Sequence, residues 1–238
     1  MPRPRTSPIL LIATLLLAAI PFAQAQVRAW SIDPVHTRVV FAVDHAGFSK
    51  SLGTFSGVDG VIHFDPRDLA SARLDVRIPV ASLELGDARW NAATLARNLL
   101  DAERHPEARF VSSRVEVLDG QRAVVHGQLT LRGVAREVAL ETTINAVKRH
   151  PMPPFRRTAG FSATTTLRRS DFGIDAWRSM IGDEVELRIE AEATLARGDA
   201  ASVAADTAST GDVVEADTAA ADEAAATPAD EDDADDTP

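Results

Sequence analysis

Glu184-Val-Glu-Leu-Arg-Ile-Glu-Ala-Glu-Ala193 alternates without a break. Val185, Leu187, Ile189, Ala191 and Ala193 fall on one side of an extended chain, and the charged residues between them on the other, because successive strand side chains point to opposite faces. Such a strand hides one face and shows the other to water. The same period recurs upstream in Phe161, Ala163, Thr165 and Leu167, in Val138, Leu140, Thr142 and Ile144, and in Val125, Gly127, Leu129 and Leu131. Phe110 and Ser112 open a strand whose parity blurs through Val115 and Val117. Towards the N-terminus come Leu74, Val76, Ile78 and Val80, then Val58, Gly60, Ile62 and Phe64, then Val39, Phe41, Val43 and His45. Turns are expected at Gly47 to Gly53, at Asp65-Pro66, at Asp119-Gly120 as a two-residue hairpin, and at Arg132-Gly133.

One segment breaks the pattern. Residues 87–105, DARWNAATLARNLLDAERH, read as a helix capped by Asp87 and stopped at His105-Pro106, with Ala88, Ala92, Leu95 and Leu99 forming an apolar stripe. The chain is therefore expected to be all-β, with eight antiparallel strands and one helix after the third. Each strand has an apolar face to bury, and a second sheet or closure into a barrel would serve. Eight strands enclose either interlocking side chains or one small ligand.

Inward parity nominates Phe41, Val43, Ile62, Phe64, Val76, Ile78, Leu129, Leu131, Phe161, Leu167 and Leu187 as ligand-lining residues, and the helix adds Leu95 and Leu99. Gly60, Gly127, Ala163, Ala191 and Ala193 are interspersed, and small residues there suit a tight core or a cavity equally. A cavity with this lining would accept an elongated lipid.

Three regions are expected. Residues 1–25 read as a signal peptide, with Arg3 and Arg5, an apolar run from Ile9 to Ile20, and Ala23-Gln24-Ala25 as the cleavage site. Residues 26–197 form the domain, with 22 acidic against 23 basic residues. Residues 198–238 hold 13 acids and no base, and this Ala-rich acidic tail is expected to be disordered. The chain has no cysteine, which excludes disulfides and thiolate sites.

The near-neutral domain argues against nucleic acid as a partner. Neither a G-x-S-x-G elbow, an H-E-x-x-H pair nor a phosphate-cradling loop occurs, and the six histidines are scattered, so no catalytic residue, metal or cofactor is expected. Asp33-Pro34-Val35-His36 reads as a turn capped by its aspartate. Asp44 and His45, adjacent on one strand, are expected to face opposite ways. Arg168 and Arg169 read as solvated charge at a strand end, or as a site for an anionic head group.

Taken together, Trp30-Ser-Ile-Asp-Pro-Val-His36, Gly53-Thr-Phe55, Ile62-His-Phe-Asp65, Gly127-Gln-Leu-Thr-Leu-Arg-Gly133, Arg169-Ser-Asp-Phe-Gly-Ile174 and Ile181-Gly-Asp-Glu-Val185 resemble the YceI-like family in type and order. The resemblance implies a lipocalin-like antiparallel barrel, exported to the bacterial periplasm, whose pore holds a polyisoprenoid or isoprenoid quinone, in a protein that often forms homodimers. The chain departs from the family at Thr37, where Ser is common, and at Leu99-Leu100 and Arg104-His105, where Phe-Phe and Lys-Tyr are usual. The expected function is binding, transport or storage of a long isoprenoid lipid, with transient membrane contact for exchange and no enzymatic activity. The rivals are a stress-induced structural or interaction protein with a filled core, and a lipid-modifying enzyme.

Overall fold

The computed structural model describes residues 26–197, so the expectations for the signal peptide and the acidic tail lie outside the described residues. Five strands, β1 (Arg28–Ile32), β2 (Arg38–His45), β3 (Ser49–Phe55), β4 (Asp59–Asp65) and β5 (Asp68–Pro79), precede the helix α1 (Ala88–Leu95). Five more follow it: β6 (Glu107–Val117), β7 (Arg122–Leu131), β8 (Val134–Arg149), β9 (Arg157–Arg168) and β10 (Ile181–Leu195). Hydrogen bonding runs β1-β4-β5-β6-β7-β8-β9-β10, and β10 returns to β1, which closes an eight-stranded antiparallel barrel. The helix thus follows the fifth strand, where the third was expected.

The two additional strands explain the difference. β1 and β2 share β10 as a partner, β1 on its last rungs from Ala193 to Leu195 and β2 from Ile181 to Glu190. They act as one wall strand interrupted at residues 33–37. The break is tied to β10 by Asp33 N, which donates to Glu192 O (2.8 Å), while the Asp33 carboxylate accepts from Val35 N (2.9 Å) as the turn reading expected. β3 lies where Gly47 to Gly53 was expected to be a turn. It pairs with β2 alone among named strands, so Ser49-Lys-Ser-Leu-Gly-Thr-Phe55 needs no apolar alternation and gives no periodic signal.

Two other departures have local causes. A bulge between Ser112 and Arg114 shifts the register of β6 against β7, which is why the inward series Ala108, Phe110, Ser112 does not continue in phase. The β6–β7 connection takes four residues because the Asp119 carboxylate accepts from Gln121 N (2.9 Å) and Arg122 N (2.8 Å), folding an aspartate-capped turn in place of a two-residue hairpin. Arg132-Gly133 does make a two-residue turn, with φ of 51° and 74°, the left-handed pair that tight hairpins require.

Backbone N–H of Gln121, the Arg122 side chain and Arg122 N together pull the Asp119 carboxyl down to about 2. A carboxyl depressed in the folded state contributes stability above its unfolded pKa of about 3.9, and that contribution is lost as pH falls towards 2. Asp119→Asn should therefore flatten the acid limb of stability between about pH 4 and 2, measured by urea unfolding across that range.

Candidate functional site

The barrel has a closed end and a capped, open end. At the lower end Trp30 and Phe64 are fully buried, their rings 5.1 Å apart, and Phe161 meets Phe64 edge-on at 5.5 Å. These rings form a floor. At the upper end two connections lie across the opening: residues 80–106, which include α1, and residues 169–180.

α1 starts as expected, with Asp87 accepting from Arg89 N (2.9 Å) and Trp90 N (3.0 Å). It stops at Leu95, ten residues short of His105. Ala96 is extended, and its carbonyl accepts from Leu99 N and Asp101 N, so the chain coils back on itself. Helix propensity yields here to burial, because the coil delivers Leu99 into a core cluster with Phe110, Phe172 and Ile174. Ala88 and Ala92 are exposed, so the expected stripe does not face the core.

Two arginines hold this cap. Arg132, in the β7–β8 turn, donates to Gly173 O (2.6 Å) and Arg97 O (3.0 Å), joining both connections. Arg169 is not solvated charge: it is buried, and it donates to the carbonyls of Ile174 (2.6 Å), Ala176 (2.9 Å), Ile181 (2.8 Å) and Gly182 (2.8 Å). Burial pulls its pKa below the ordinary arginine value, partly offset by the fields of Asp183 and Asp175. Asp183 accepts from Ser170 N (3.0 Å), Ser170 Oγ (2.9 Å) and Arg168 Nε (3.1 Å), securing the same segment to β10.

Beneath the cap lies a cavity of about 730 Å³, and below it a second of about 140 Å³. Val39, Ile78, Phe110, Leu140 and Ile189 line both and form a belt between them. Of the nominated residues, Phe41, Val43, Leu99, Leu129, Leu131, Leu167 and Leu187 line the upper cavity. Ile62, Phe64, Val76 and Phe161 line the lower one, and Ile78 touches both. Leu95 lines neither, because the helix ends there and its phase is not carried further. Gly127 is small for a definite reason: a Cβ there would come within 2.6 Å of the Phe110 ring, which lies over it.

Along β10 the upper cavity runs from Ile181 to Ile189, about 26 Å of strand. It is an elongated slot, and its volume falls within the range of about 300–1,000 Å³ usual for small-molecule sites. Polar lining is concentrated at the upper end, in Asp44, His45, Ser51, Thr94, Asn98 and Arg169. Asp44 and His45 both border the mouth at the end of β2, Asp44 the more exposed of the two, and they have separate partners. Asp44 accepts from Gly47 N (3.0 Å), while the His45 ring stacks obliquely on Trp90 at 5.6 Å. Trp90 and Trp177 complete the rim. Parity could not reach Trp177, Phe172, Ile174 or Arg169, since they lie in the β9–β10 connection and have no strand period; the family motif Arg169–Ile174 marked three of them without indicating that they lie over the cavity.

The YceI-like domain pattern matches residues 30–193, which is most of the chain. The chain belongs to the YceI-like family. A UPF0312 protein of Pseudomonas savastanoi is 35% identical over 167 residues, spanning 69% of this chain and 84% of the relative. Among solved structures this YceI-like barrel is similar to BcnA of Burkholderia cenocepacia, with a TM-score of 0.61, 25% identity, and coverage of 68% of this chain and 98% of that one. It also shares its fold with a polyisoprenoid binding domain from Saccharophagus degradans, with a TM-score of 0.56 at 13% identity, covering 71% and 99% of the two chains.

Proposed function

We propose that this protein binds a long isoprenoid lipid in the barrel, as a carrier or store in the bacterial periplasm. The observation that carries the reading is the elongated upper cavity of about 730 Å³, apolar along its walls and polar at its mouth. An isoprenoid chain would run down the slot with its head among Asn98, His45 and Arg169. The belt at Phe110 separates a short ligand from one long enough to enter the lower cavity. A filled core, as a purely structural role would expect, is hard to square with that much open volume.

Family membership and the polyisoprenoid binding described for the Saccharophagus domain support the same ligand class. They also favour a binding protein over an enzyme. Export rests on the signal peptide expected at residues 1–25. Exchange would use the upper end, where Phe48, Trp90, Trp177 and Met180 are exposed and a brief contact with a bilayer is part of the proposal. Homodimer formation, expected from the resemblance, belongs to the same reading.

Mass spectrometry of an organic extract of purified protein tests it. The expected result is a stoichiometric polyisoprenoid or isoprenoid quinone. Repeated extracts without lipid, together with failure to take up such a lipid from detergent, would reject the reading.

A further inference from the structure

The β8–β9 connection carries Lys148-Arg-His-Pro-Met-Pro-Pro-Phe-Arg-Arg157. It stands at the floor end of the barrel, since β8 leaves the cap at Val134 and runs sixteen residues before reaching it. Its tip is apolar and open to solvent: Met152 is 64% exposed and Phe155 52%. Phe155 is held at φ 55°, a conformation a bulky side chain rarely adopts.

Positive charge is gathered directly behind that tip. Arg149 and Arg157 are Cα partners across the ladder, and like charges placed opposite each other weaken a hairpin. Arg156 lies beside His150, whose N–H donates to its carbonyl (2.8 Å), and Lys148 is one rung further back. Among the described residues none of these four cations forms an ion pair. Arg157 Nε is buried without a hydrogen-bond partner. Along the strands Arg156 and Arg157 sit within about 7 Å of the apolar tip, and Arg149 and Lys148 within about 13 Å.

We propose that this hairpin tip docks on an anionic phospholipid surface, with Met152 and Phe155 entering the boundary between head groups and acyl chains. The order of the layers decides the partner. An apolar point backed by four unpaired cations matches hydrocarbon beneath phosphate, whereas an acidic protein would engage the cations and leave the apolar point in water. The inference does not depend on what fills the cavity. Docked this way, the barrel holds its mouth roughly 40 Å from the surface, so docking and ligand exchange use opposite ends.

The test is sedimentation of the full mature chain with phosphatidylcholine vesicles, with and without phosphatidylglycerol. Binding is expected only with phosphatidylglycerol and should fall as salt rises. Lys148→Gln with Arg156→Gln should weaken it roughly thirtyfold, since each cation near such a surface is worth a factor of about five. Phe155→Ser should weaken it at every salt concentration, and Val111→Ser, on the outer face of β6 away from both ends, should leave it unchanged. These positions are exposed, and circular dichroism of each variant is the check that it folds. Equal sedimentation with both vesicle types, wild-type binding by the doubly neutralised variant, or capture of polyglutamate without vesicle binding would overturn the proposal.

Discussion

Arg169→Met is expected to lower the unfolding free energy by about 3–5 kcal/mol, because it removes a buried cation and leaves four carbonyls without a donor. The side chain donates to Ile174, Ala176, Ile181 and Gly182, so one residue organises the turn that carries Phe172 and Ile174 over the barrel. Methionine preserves much of the apolar stem and isolates the loss of hydrogen bonding. For a domain of this size the melting temperature should drop by roughly 10 °C. Arg169→Lys keeps the charge but has only three donors in a different geometry, and should recover part of the loss. Differential scanning calorimetry of the three proteins measures the series. A methionine variant as stable as wild type would show that the carbonyls are satisfied in another way, and that the cap does not depend on this guanidinium.

Leu129→Arg is expected to abolish lipid retention. Leu129 lines the upper cavity on β7, opposite Arg136 in the ladder, and a guanidinium there would have to stay hydrated inside the slot. Chain segments could not pass it. Each five-carbon unit kept out of the barrel forfeits on the order of 3 kcal/mol, more than a hundredfold in affinity. The readout is the lipid content of the purified variant beside wild type, with circular dichroism and thermal unfolding to establish the fold. Leu129→Met, close in volume and still apolar, should retain lipid. A folded arginine variant with undiminished lipid would place the ligand elsewhere.

The wall of the barrel was legible where strands alternate and are long. β7, β9 and β10 each carry an unbroken period, and the inward residues read from it, other than Gly127 and Ala193, lie in the cavity lining. Legibility failed where another force set the conformation. β3 pairs only with β2 among the named strands and carries no amphipathic requirement; β6 changes phase at a bulge; and the helix stops at Leu95 because burying Leu99 outweighs local propensity. The mouth was the least readable part. His45 and Asp44 both border it where a strand ends, and Arg169 reads as surface charge until the carbonyls around it are seen. Side-chain period indicates which way a residue faces within a strand, but not what a long connection will fold over.

Arg132 gives the entrance a mechanical character of its own. Its guanidinium grips Gly173 in one flap and Arg97 in the other, from a turn fixed in the barrel wall. Neither flap can swing far without dragging its neighbour or breaking the shared latch. Both sides of the doorway are therefore moored to a single post in the wall, and moving either one costs a hydrogen bond to that same side chain.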